Sequence, residues 1–134
     1  MADYYLQIRI NSMTLKDLET HEEYNVTGEF SSSRLIIGDF FVAEYVLYQL
    51  VCKMGLKVKL PFTSRHRVLV QALEKNEGGL SMVENRLLTE VVYSAFNQKI
   101  KKLVIIDDTL PLPQKEAKEI LLNSNADNKH HRHK

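Results

Sequence analysis

The chain has little of what marks a secreted, fibrous or low-complexity protein. Cys52 is its only cysteine, which excludes an internal disulfide and with it the disulfide-stabilised secreted class. Tryptophan is absent, and five glycines and three prolines are too few for a low-complexity chain. The first residues show neither the cationic start nor the apolar run of a signal peptide. We therefore expect an intracellular protein.

A membrane span is not expected either. The longest apolar stretch, residues 35–56, contains Asp39 and Glu44. Each acid near the centre of a bilayer costs about 2.5–3.5 kcal/mol. What the chain does contain is 44% hydrophobic and 26% charged residues, a composition typical of one globular domain.

Apolar residues alternate with polar ones in several short segments, which predicts β-strands. The predicted strands cover residues 4–10, 24–30, 56–60, 68–70 and 103–106. The first should be half-buried, with Gln7 and Arg9 facing outward. The last is uniformly apolar, which is typical of a central strand buried on both faces. Residues 56–60 and 68–70 favour a β-hairpin around Pro61, and the alternative makes residues 64–74 a helix.

Capping residues predict the helices. Asp39 is a good N-cap, and Gly55 stands where a left-handed C-terminal residue is expected, so one long helix lies between them. Ser81 and Glu84 form a capping box that opens a second long helix. A weaker capping pair, Thr14 with Asp17, predicts a short helical turn.

These elements together predict an α+β fold. Its sheet should be antiparallel or mixed, with about four to five strands, two main helices on one face and a short C-terminal helix. A ferredoxin-like split β-α-β arrangement is the favoured topology. We expect a single domain over residues 1–113, an amphipathic helix over 114–122 and a disordered, polar, histidine-rich tail over 123–134.

The net charge of +1 conceals a segregation of charge along the chain. Acids cluster before residue 45, whereas residues 45–73 contain five cations and no acid. In the expected hairpin several of these cations share the solvent face and form a surface for the phosphate backbone of RNA or, less favoured, DNA. The candidate nucleic-acid-binding residues are Lys53, Lys57, Lys59, Arg65, His66, Arg67, Lys101 and Lys102. Protection of a strand edge, or pairing with the acidic segment, would also explain the lysines.

A second candidate surface lies on the less apolar face of the first long helix. Tyr45 and Tyr48 occupy it, and tyrosine is enriched at protein interfaces. The apolar face of the C-terminal helix would dock on the domain or on a partner, through Ala117, Ile120 and Leu121. The alternative function is therefore a protein-interaction adaptor or regulator. Partial burial of the tyrosines against the domain is the competing interpretation.

No motif predicts an enzyme, a metal site or a cofactor. Asp107 and Asp108 follow a buried strand, where α/β enzymes often keep acids, but strand-end carboxylates commonly begin turns. Nothing in the sequence brings Cys52 and His66 together as nucleophile and base. The tail Lys129-His130-His131-Arg132-His133-Lys134 lacks the fixed geometry of a metal site. We expect a non-enzymatic binding protein within a larger assembly.

Overall fold

A computed structural model describes residues 2–61, 63–74 and 79–123 of the chain. Within these ranges the structure contains five strands and three helices. They are β1 (Asp3–Arg9), β2 (Ser12–Asp17), β3 (Glu23–Thr27), α1 (Phe40–Lys53), β4 (His66–Ala72), α2 (Met82–Ala95), β5 (Ile100–Ile106) and α3 (Gln114–Asn123). The predicted tail, apart from its first residue, lies outside the described residues.

The strands form one mixed sheet in the order β3-β2-β1-β4-β5. β1, β2 and β3 pair antiparallel, whereas β4 pairs parallel with both β1 and β5. α1 and α2 pack together against one face, and α3 packs against the other. The α+β fold, the mixed sheet, the two main helices on one face and the short C-terminal helix are thus confirmed.

The topology differs from the favoured ferredoxin-like arrangement. Residues 12–17 form β2 rather than a helical turn, because Met13 and Leu15 alternate into the core while the backbone pairs with β1. Asn11 adopts a φ of 55° in the turn between the two strands, a conformation that asparagine tolerates. The weak capping pair is therefore overridden by burial and strand pairing.

The prediction of a β-hairpin around Pro61 is also wrong. β4 already pairs with β1 on one edge and β5 on the other, so no edge is left for residues 56–60, which form a loop. Val58 is nevertheless buried and Leu56 packs partly against the core, whereas Leu60 is 52% exposed, so packing without strand pairing accounts for two of the three alternating apolar residues. The alternative helix over residues 64–74 does not form either. β5, predicted to be central, is an edge strand, and helices on both faces account for its burial.

β1 is buried on both faces rather than on one. Tyr5 points to the α3 side, where its hydroxyl accepts a hydrogen bond from Leu112 N at 3.1 Å and donates one to Gln71. The Gln71 amide nitrogen in turn donates to the Asp108 and Leu110 carbonyls at 2.8 and 2.9 Å. This buried polar network holds the segment that leads from β5 to α3.

The predicted helix ends are confirmed. The Asp39 side chain accepts a hydrogen bond from Val42 N at the start of α1, and Gly55 has a φ of 81° just beyond its end. Ser81 and Glu84 form both hydrogen bonds of the capping box at α2. α1 has 14 residues, about 21 Å of helix, against about 30 Å of bilayer hydrocarbon. Within the described ranges, no helix is long and apolar enough to cross a membrane.

Candidate functional site

Two loops meet at one end of the sheet. One leads from α1 into β4 and the other from α2 into β5, and because these strands are parallel and adjacent, both loops lie at the same end. The Asn97 side-chain amide donates to the Val58 carbonyl at 3.1 Å, and Lys99 Nζ donates to the Leu60 carbonyl at 3.3 Å. The loops are therefore held together by side-chain hydrogen bonds.

Cations gather on these loops and on the residues that flank them. We call this group the basic end; it consists of Lys53, Lys57, Lys59, Arg65, Lys99 and Lys101. Lys99 is half-buried and the other five are exposed. Across the part of the chain that the structure describes, none of the six forms an ion pair with an acid. The basic end therefore presents uncompensated positive charge to solvent.

Two of the predicted phosphate-binding residues lie elsewhere. Arg67 forms two hydrogen bonds with the buried carboxylate of Asp3, at 2.6 and 2.9 Å, on the α3 face of the sheet. Lys102 is opposite Arg67 in the strand register and shares that face by alternation with Val104. The expected hairpin grouped Arg65 and Arg67 on one surface, but Arg65 precedes β4 and belongs to the loop.

His66 is not available for phosphate. Its imidazole is buried between the rings of Tyr4 and Phe96, with centroid distances of 5.5 and 6.2 Å. Nδ1 has no hydrogen-bond partner among the described residues. Burial lowers the pKa of His66 below its ordinary value of 6.5, and the nearby Asp17 carboxylate partly opposes the shift. His66 is therefore a neutral core residue at neutral pH.

The lowered pKa of His66 predicts a loss of stability in mild acid. In the unfolded chain His66 binds a proton near pH 6.5, whereas in the folded chain it binds that proton only at a lower pH. The free energy of unfolding therefore has the full contribution of neutral His66 above pH 6.5. It decreases as the pH falls towards the pKa of His66 in the folded chain. Urea denaturation at pH 7.5 and 5.5 should therefore show a larger loss for the wild type than for His66→Gln. Equal losses in both proteins would contradict this assignment.

A groove opens between α1 and α2, next to the basic end. It encloses about 370 Å³ and is lined by Phe41, Glu44, Tyr45, Tyr48, Lys59, Ser94 and Ala95. Lys59 Nζ lies 4.8 Å from the centre of the Tyr48 ring, within the range of a cation–π contact. The Ser94 hydroxyl donates a hydrogen bond to the Glu44 carboxylate across the groove. The groove thus places the aromatic face of α1 beside Lys59, a cation of the basic end.

Three aromatic residues of α1, Phe41, Tyr45 and Tyr48, form what we call the aromatic stripe. Phe41 is 76% exposed and Tyr45 is 62% exposed. A hydrogen bond to Cys52 is the largest cause of a raised Tyr48 pKa. Cys52 is exposed one helical turn beyond Tyr48, whereas His66 is buried. The structure therefore places Cys52 beside a tyrosine and does not pair it with His66 as nucleophile and base.

The C-terminal helix does not extend this surface. Ala117 and Leu121 are buried against the sheet, and Ile120 is partly buried beside them. Lys118 forms ion pairs with Asp3, at 3.4 Å, and with Glu19. The apolar face of α3 is therefore part of the second core.

Asp107, the first of the two acids after β5, contacts the start of α2. Asp107 Oδ2 accepts a hydrogen bond from Leu80 N at 3.2 Å, at the entry to α2. No group of three or more potential metal-binding side chains was found among the described residues. Sequence reasoning missed the ion-pair network of Asp3, Arg67 and Lys118, because no local pattern links residues so far apart in the chain.

Comparison with known proteins relates the chain to a bacterial protein. The chain is similar to the "Uncharacterized protein YjaA" of Escherichia coli (strain K12), with 44% identity over 109 residues. The aligned part covers 78% of this chain and 85% of that protein. No family model matches the chain, and no solved structure gives a significant match. The relative's name assigns no ligand or activity, so a functional inference must come from the residues of the site.

Proposed function

The chain belongs to the YjaA family, and we propose that it is a non-enzymatic protein that binds nucleic acid, with RNA favoured, at its basic end. The observation that carries the proposal is the set of six cations on two joined loops and the residues that flank them, none of them paired with an acid in the described structure. Lysine and arginine bind phosphates by displacing condensed counterions. An intracellular location and a place within a larger assembly belong to the same proposal.

The distribution of charge favours a polyanion over a small anion. The cations come from the end of α1, the two loops and the start of β5, so several separate segments of the chain contribute to the basic end. No acid occurs between residues 45 and 73, the stretch that supplies four of the six cations. A nucleic-acid strand offers one negative charge per nucleotide and can contact several of these cations at once.

Charge reversal of two loop residues tests the proposal. Lys57→Glu/Arg65→Glu leaves Lys59 over Tyr48, so the groove is kept while the basic end is weakened. For the wild type with three phosphate contacts, affinity for single-stranded RNA should fall about 20-fold between 50 and 200 mM salt. At 50 mM salt the double variant should bind at least about tenfold more weakly, with a shallower salt dependence. Fluorescence anisotropy with a labelled RNA measures both.

Arg86→Glu is the matched control for that experiment. Arg86 is an exposed cation on α2 and is already paired with Glu90 at 3.4 Å. Its reversal should leave RNA affinity nearly unchanged, because Arg86 lies outside the basic end. Wild-type binding that does not respond to salt, or an equal loss in Arg86→Glu, would refute the proposal.

A protein partner is the second candidate function, and the exposure of Phe41 and Tyr45 is the observation that favours it. Large aromatic side chains on a groove are typical anchors of protein interfaces. A complex of this kind would be lost on Tyr45→Ala and kept in Lys57→Glu/Arg65→Glu. Affinity purification of a defined partner with these two variants separates the two candidates.

A further inference from the structure

We infer that the groove between α1 and α2 is a stacking site for unpaired bases, so that the ligand of the basic end is a single strand. This inference rests on the proposed function, because the cations would hold the phosphates whose bases enter the groove. Proteins that bind single strands combine a positive surface with aromatic side chains on which successive bases stack. The chain places both features side by side at Lys59 and Tyr48.

The spacing of the aromatic stripe suits a short run of nucleotides. Positions 41, 45 and 48 follow each other at intervals of four and three residues, so they lie on one side of α1. Phe41 and Tyr48 are separated by about 10 Å along the helix axis. Stacked bases in a strand are about 3.4 Å apart, so this length accommodates about three nucleotides.

The walls of the groove leave the aromatic rings accessible. Ser94 and Ala95 on α2 are small, and although the Phe40 ring meets the edge of Phe41 at a centroid distance of 5.4 Å, Phe41 and Tyr45 remain 76% and 62% exposed. Aromatic rings that served only the core would be expected to be buried, as Phe30 and Phe96 are. The exposed rings are therefore free to receive a planar ligand.

The charge of the groove matches a phosphate-bearing ligand. Glu44 is the one acid among the residues that line it, and its carboxylate accepts a hydrogen bond from Ser94. Lys59 contributes a cation over the Tyr48 ring, and the rest of the basic end continues from there through the loop. A strand would place its bases over the exposed rings of Phe41 and Tyr45 and its phosphates towards Lys59.

Tyr45→Leu tests the inference, with two probes of one sequence: a labelled 15-nucleotide RNA and the corresponding RNA duplex. Tyr45 is exposed, so its replacement should not affect folding. The variant should bind the single strand about tenfold more weakly, and its binding to the duplex should be unchanged. The salt dependence should match that of the wild type, because no charge is altered.

Tyr24→Leu is the control, since it removes a tyrosine of β3 that does not line the groove. It should leave binding to the single strand unchanged. Unchanged single-strand binding in Tyr45→Leu, with salt-dependent binding retained in the wild type, overturns the stacking inference and leaves the proposed function standing. Absence of wild-type binding to both probes refutes the proposed function itself. Occupation of the groove by a protein partner instead of the single strand also overturns the inference.

Discussion

Phe96→Ala is expected to lower the free energy of unfolding by about 4 kcal/mol. Phe96 is the C-cap residue directly after α2. It is completely buried and packs against the rings of Tyr4 and His66, at centroid distances of 6.4 and 6.2 Å. Its loss removes apolar contact and leaves a cavity that the β-sheet beneath cannot fill by a small movement. Urea denaturation followed by circular dichroism at pH 7.5 measures the change.

Phe41→Ala is the matched control for this prediction. It deletes the same side chain from α1, where that side chain is 76% exposed, so the change in stability should lie within about 0.5 kcal/mol. If both variants lose similar stability, Phe41 is not the exposed surface residue that the stacking inference requires. A small loss in Phe96→Ala would show that the core beneath the basic end is wrongly described.

Asp3→Asn is expected to cost about 3 kcal/mol of stability. The Asp3 carboxylate is 1% exposed, holds Arg67 through two hydrogen bonds and lies 3.4 Å from Lys118 of α3. Removal of one member of a buried ion pair leaves its partner without compensation, which costs about 3–5 kcal/mol. We expect the lower end, because Arg67 and Lys118 are partly exposed and water compensates them in part.

Glu90→Gln makes the same change from carboxylate to amide in an exposed pair. Glu90 pairs with Arg86 on the surface of α2, where such pairs contribute about 0.3–0.5 kcal/mol. Its effect on the urea midpoint should therefore be close to zero. Equal effects of Asp3→Asn and Glu90→Gln would mean that the Asp3 network does not hold α3 on the sheet.

Local signals in the sequence predicted the helices well. The N-cap Asp39, the C-terminal Gly55 and the capping box of Ser81 and Glu84 satisfy backbone groups within one turn of the chain, so their effect does not depend on the rest of the fold. The short C-terminal helix was predicted from the apolar face formed by Ala117, Ile120 and Leu121, a pattern that is also local in the chain. These elements appear in the structure at nearly the predicted positions.

Such local signals did not predict which strands pair. Residues 56–60 alternate as a strand does, but a strand also needs a partner edge, and β1 and β5 take both edges of β4. The burial of β5 on both faces was predicted from its composition. Its position at the edge of the sheet was not predicted. An edge strand covered by helices on both faces is as buried as a central strand, so the composition does not distinguish the two positions.

For the candidate site, the sequence alone determined that residues 45–73 carry cations and no acid, and that α1 bears tyrosines on its less apolar face. Only the tertiary structure decided which cations lie together. The parallel arrangement of β4 and β5 joins Lys99 and Lys101 to the loop after α1, while Asp3 removes Arg67 from the group. The physical reason is that charge is a property of each residue, whereas a charged surface depends on strand register and on pairing between residues distant in the chain.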